Sequence, residues 1–130
     1  MKRSDIVRFL KMRHSIDYWS IPHFLFGAVT ALLTVVIAVP AVFGFIATLI
    51  LAIIWEFFEV QERIKENIRN KTADVLFPLV AFPATYLFVQ YVVIEHERRV
   101  GLLVTVTIFF LYTNFMAWRA RLDHDRDFMN

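Results

Sequence analysis

Four long apolar stretches limit what this chain can fold into more than any other feature. They run roughly over residues 21–39, 41–60, 73–94 and 100–118, each close to the ~20 residues of helix that cross a bilayer. In hydrocarbon every backbone N–H and C=O needs a partner inside its own segment, so such stretches become helices. The expected fold is all-α: one polytopic membrane domain, a bundle of four transmembrane helices. Composition agrees, because 58% of the 130 residues are hydrophobic and 16% aromatic, too oily for an ordinary soluble domain. Pro40 lies in a very short first connection, so spans one and two should form a tight hairpin. "QERIKENIRNKT" makes a longer polar connector, and "IEHERR" a turn-like link between spans three and four.

The chain has no cysteine, which excludes disulfides, thiolate metal sites and cysteine nucleophiles. The formal charge is only +2, but the cations are clustered. Lys2, Arg3, Arg8, Lys11 and Arg13 precede the first span, and Arg63, Lys65, Arg69 and Lys71 fill the connector. Arg119, Arg121 and Arg126 follow the last span, while Arg98 and Arg99 fall on the opposite side. Twelve cations against two place both termini in the cytoplasm of a multi-pass protein of the cell membrane. No nucleic-acid motif is present, so the bilayer is the partner these flanking clusters fit.

Residues 1–19 carry a pattern of their own. In "SDIVRFLKMRHSIDYW", Ser4 can cap a helix on which Ile6, Phe9, Leu10 and Met12 share a side, with Arg8 and Lys11 interspersed. That is an amphipathic helix lying on the cytoplasmic leaflet, ahead of Tyr18 and Trp19 at headgroup level. Residues 119–130 read as a cytoplasmic tail.

With this topology, polar residues from four spans fall at one depth. His23 opens span one, Glu56 and Glu59 close span two, Asp74 opens span three, and Asn114 lies about a turn inside the end of span four. Helical phase points the same way. His23, Gly27, Ala31 and Thr34 recur at three- and four-residue steps, as do Gly44, Thr48, Ala52, Glu56 and Glu59, and Asp74, Pro78, Ala81 and Thr85. Small residues at this spacing mark faces where membrane helices approach. Each charged residue therefore ends a packing stripe and points into the bundle. Two readings stay open: glutamates that simply snorkel to water where a helix emerges, or a polar site inside the bundle. Glu62 and Glu66 fit the first, as solvated partners of Arg63, Lys65 and Arg69.

As a site, His23, Glu56, Glu59 and Asp74 make an oxygen-rich set with one imidazole, suited to Zn²⁺, Mn²⁺ or Fe²⁺. The same groups could instead act as an acid and base pair. Only His23 of the four histidines lies within a span, which argues against haem. Ser4, Ser15 and Ser20 all precede the first span, so a serine nucleophile is not credible. Arg63, Arg69 and Lys71 are placed to hold a headgroup phosphate.

"IPHFLFG", "WEFFE" and "NKTAD", with His23, Glu56, Glu59 and Asp74 in that order, resemble the VanZ-like families of small membrane proteins over roughly residues 17–85. The resemblance implies a histidine opening one span, a glutamate motif closing the next and an aspartate starting the one after. Some members of these families are linked to glycopeptide resistance. The chain departs from the pattern in the six-residue gap between Asp17 and His23, and in Pro78 and Pro83 where a glycine after the aspartate is typical.

Two functions compete at this level. One is a cytoplasmic-leaflet site that binds a cation or acts on a lipid-like amphiphile. The other is an accessory subunit that packs against and stabilises a larger membrane complex, or another copy of itself; Phe109, Phe110, Phe115 and Trp118 suit such lateral contacts. A transporter or channel is weaker, since span four offers only Thr105 and Thr107 deep within it.

Overall fold

The computed structural model describes residues 20–61 and 68–129, with side chains over 20–58 and 72–119. Within them the regular structure is helical: α1 Ser20–Val36, α2 Ala41–Gln61, α3 Ile68–Val92 and α4 His96–Met129. Three of these are long and apolar enough to cross a membrane, over Ala41–Phe58, Thr72–Val92 and His96–Arg119. The expected interfacial helix at 1–19 and the connector residues 62–67, Arg63 among them, lie outside the described residues.

Helix ends differ from the hydropathy reading for local reasons. The first span was expected to run to residue 39, yet α1 stops at Val36. Ala38 adopts φ 56°, its N–H donates to the Val35 carbonyl at 3.2 Å, and the Val39 N–H donates to Thr34 at 3.0 Å. This is the paired cap in which one left-handed residue closes a helix, a place where glycine is usual. Pro40 then prevents the turn from continuing. At the other helices the regular structure outlasts the apolar sequence. α3 begins at Ile68, inside the expected connector, and α4 extends from His96 to Met129 rather than over 100–118 with a separate tail. No glycine or proline interrupts residues 68–77 or 102–129, so no backbone breaker stops these helices where hydrophobicity fades.

The shortest helix is the centre of the packing. α1 lies against α2, α3 and α4, and α3 also packs on α2, whereas α2 and α4 have no comparable contact. Along α1 the partners change in three levels. Near its C-terminus Leu32 and Val35 form an apolar cluster with Val89 of α3, covered by Tyr86, Leu102 and Val106. In the middle small residues let backbones approach. A Cβ on Gly27 would stand 2.7 Å from Pro78 Cα, and one on Gly44 would stand 2.7 Å from Thr34 Cγ2 and 3.0 Å from Phe82 Cζ. There the buried Thr48 hydroxyl donates to the Thr30 hydroxyl at 2.8 Å, and Thr30 donates to the Gly27 carbonyl at 3.0 Å. Such interhelical hydrogen bonds are a main adhesive between membrane helices. At its N-terminus α1 carries His23.

The expected stripes are the buried ones on α1 and α2: His23, Gly27, Ala31 and Thr34 on the first, Gly44, Thr48 and Ala52 on the second. On α3 the buried face holds Asp74, Pro78 and Ala81, then continues through Phe82 and Val89, with Thr85 only half-buried. Phe82 holds that seam by stacking on Tyr86 at 6.1 Å and meeting Phe45 edge-on at 5.7 Å, arrangements that aromatic rings favour.

Candidate metal centre and adjoining groove

His23 occupies the first turn of α1 and is buried, and Asp74, in the second turn of α3, is buried with it. Their side chains approach to 3.8 Å between Nε2 and Oδ2, beyond hydrogen-bond length. Glu56, in the last two turns of α2, is half-buried, and both its carboxylate oxygens are shielded from solvent. One ligand atom from each of the three residues lies within 4.8 Å of the others. Three helices thus bring an imidazole nitrogen and two carboxylate oxygens into one neighbourhood.

The Gly27–Pro78 contact sets this geometry. It brings α1 and α3 together about one turn beyond His23 and Asp74, so the two side chains project from closely spaced backbones. Glu56 follows from Thr48 and Ala52 at four-residue steps along the face that packs on α1. Glu59 lies on α2, and Arg69 and Lys71 on the first turn of α3; their side chains fall outside those described, as does all of Arg63. The chain matches no protein-family model, no curated protein and no solved structure.

Beside the cluster lies a groove of about 360 Å³. Its walls are Leu51, Trp55 and Phe58 of α2 and Phe110 of α4, and His23 and Phe26 form its floor on α1. Asn114 of α4 also lines it, and Asn114 Oδ1 is shielded from solvent without a hydrogen-bond partner among the described residues. Phe26 and Phe110 meet across the floor at 6.0 Å, and Trp55 packs on Phe58 at 6.1 Å. The groove exists because α2 and α4 both lean on α1 without closing on each other.

Of the residues singled out from sequence, His23, Glu56 and Asp74 come together, and Asn114 shares the groove with His23. The groove itself was not foreseen. Trp55 and Phe58 stand next to glutamates in the same motif, about 100° away in helical phase, and read on one helix alone they look like lipid-facing aromatics.

Proposed function

We propose that this chain is a four-span protein of the cell membrane, with both termini cytoplasmic, that holds a divalent cation between His23, Glu56 and Asp74. The convergence of one imidazole and two carboxylates from three helices, all within 4.8 Å, carries the reading. Two protein ligands held at roughly 2.0–2.2 Å by one ion stand about 3–4 Å apart. The 3.8 Å between His23 and Asp74 therefore needs little adjustment to take an ion. The donor set suits Zn²⁺, Mn²⁺ or Fe²⁺. A divalent charge also offsets two carboxylates buried at the edge of hydrocarbon, where ionisable groups are expensive unless paired.

Three protein ligands leave room for a fourth, as in catalytic zinc sites. Here His23 belongs to both the cluster and the groove lining, so the candidate site adjoins the groove. The resemblance to VanZ-like families rests on these same residues with Glu59. As the fourth span, α1 has 17 residues, at the short end of what crosses a bilayer. The twelve cations of the termini and connector put the His23 end in the cytoplasm.

Calorimetric titration of chelator-stripped protein in detergent with Zn²⁺ and with Mn²⁺ tests the site. One ion per chain is expected, with affinity falling about tenfold or more in Asp74→Asn and Glu56→Gln. No binding, or binding indifferent to both substitutions, contradicts it. Reporter fusions at the two termini test the orientation, and an external reading at either end overturns it.

The accessory-subunit reading draws on α4, which exposes Phe109, Tyr112 and Phe115. It requires a protein that co-purifies with the chain and detaches when that face is made polar.

A further inference from the structure

We propose that the groove between α2 and α4 holds the hydrocarbon chain of a membrane amphiphile whose hydroxylated head meets Asn114 and the cation. This rests on the cation reading above and names what approaches that ion.

The groove's size, walls and opening all bear on its occupant. At about 360 Å³ it falls in the range of small-molecule sites and is too small for a helix about 10 Å across. Its walls are aliphatic and aromatic, and Leu51 and Phe58 remain 47% and 46% exposed, so it opens sideways along α2. That flank belongs to the apolar stretch Ala41–Phe58, and the flank of a membrane span faces lipid tails. A ligand entering there arrives from the hydrocarbon, not from water.

The polar end selects among hydrocarbon ligands. Asn114 Oδ1 is an acceptor shielded from solvent with no hydrogen-bond partner among the described residues, and buried acceptors are normally satisfied. It calls for a ligand with an O–H or N–H donor. His23 lines the same groove and belongs to the three-residue cluster. A hydroxyl suits both neighbours at once, because its hydrogen can go to Asn114 while its oxygen faces the ion. A water-soluble polyol would leave Leu51, Trp55 and Phe110 uncovered. A fatty ester without a donor would leave Asn114 unmatched.

Trp55 lines the groove and serves as the reporter. The protein carrying Trp19→Phe and Trp118→Phe is placed in nanodiscs of unbrominated phosphatidylcholine with Zn²⁺, and brominated monoacylglycerol is titrated in. The expected result is saturable quenching of Trp55 at low mole fraction, competed by unlabelled monoacylglycerol. It should weaken several-fold in Asn114→Leu, and equally for a brominated fatty acid methyl ester on the unaltered site. Quenching that rises linearly with probe, alike for both probes, shows contact with bulk lipid only and overturns the proposal. Zinc binding measured on the same discs separates the two readings. Zinc bound with linear quenching overturns the groove proposal alone. Saturable, Asn114-dependent quenching without bound zinc supports the amphiphile in the groove and overturns the cation reading.

Discussion

Of its seventeen residues α1 buries nine, whereas over its apolar stretch His96–Arg119 α4 buries Ala117 alone. The buried residues of α1 are mostly small or polar: Ser20, His23, Gly27, Ala28, Ala31 and Thr34. The outward residues of α4 are large, including Val104, Ile108, Phe109, Tyr112 and Phe115. In water this distribution would be inverted, because large apolar side chains drive burial there. Lipid tails are as apolar as leucine, so helix contact in a bilayer depends on close approach and interhelical hydrogen bonds. Small residues supply both. Position-specific information thus concentrates on the shortest helix, and with it the histidine of the candidate site.

The contrast breaks most visibly at two glycines. Gly27→Leu drives a side chain into the Pro78 backbone, while a Cβ on Gly101 of α4 meets nothing within 4 Å. The first should cost about 3 kcal/mol or more, since backbone on both sides leaves little room to relax. Gly101→Leu should be neutral or stabilise by up to about 1 kcal/mol, as a better helix former replaces glycine. Thermal unfolding in detergent compares them, and similar losses at both positions would remove the distinction between the helices.

Metal removal comes next. An ion at a concentration 100 times its Kd stabilises the folded state by about 2.7 kcal/mol, and stripping it should forfeit that amount. Hydrogen exchange should show the loss of protection along α1 and the first turns of α3, with α4 unchanged between Val100 and Tyr112. Uniform loosening would mean that the ion is not bound where α1 meets α3.

Two threonines give a finer comparison. Both hydroxyls reach the carbonyl four residues back in their own helix at 2.8 Å, but Thr48 also bonds across to Thr30 of α1, a bond with no counterpart at the exposed Thr105 among the described residues. Thr48→Val should cost about 0.6 kcal/mol, the average for such interhelical bonds, and at most about 1.7. Thr105→Val should change stability by less than about 0.5 kcal/mol. Urea or detergent-denaturation midpoints of the two variants decide it. Ala38 should differ in sign, because glycine there relieves the left-handed backbone. Ala38→Gly should gain roughly 1 kcal/mol or less, seen as a modest rise in the unfolding midpoint.

Much of this arrangement was legible in the chain. Stripes of glycine, alanine and threonine at three- and four-residue steps marked the faces of α1 and α2 that meet, and the ionisable residues at their ends followed by phase. That is why the proximity of His23, Glu56 and Asp74 could be anticipated. Helix ends were less legible, because hydropathy reports where a segment leaves hydrocarbon and not where its hydrogen bonds stop. α3 and α4 therefore run past their apolar limits. α1 stops short because Ala38, an ordinary helix former, takes the left-handed conformation that glycine would have advertised. The groove was invisible for another reason: it depends on how far α2 and α4 diverge over α1, a property of three helices together. The same holds for Phe82, whose burial depends on rings from α2 and its own helix.

The central claim is that α1 brings His23 to Glu56 and Asp74 to hold a cation. Pulsed electron paramagnetic resonance of Mn²⁺ added to the chelator-stripped protein tests it most directly, because nitrogen modulation reports a coordinated imidazole. The account predicts one bound Mn²⁺ with a single histidine nitrogen coupling that disappears in His23→Gln. A spectrum without nitrogen coupling, or one that persists in His23→Gln, would contradict it.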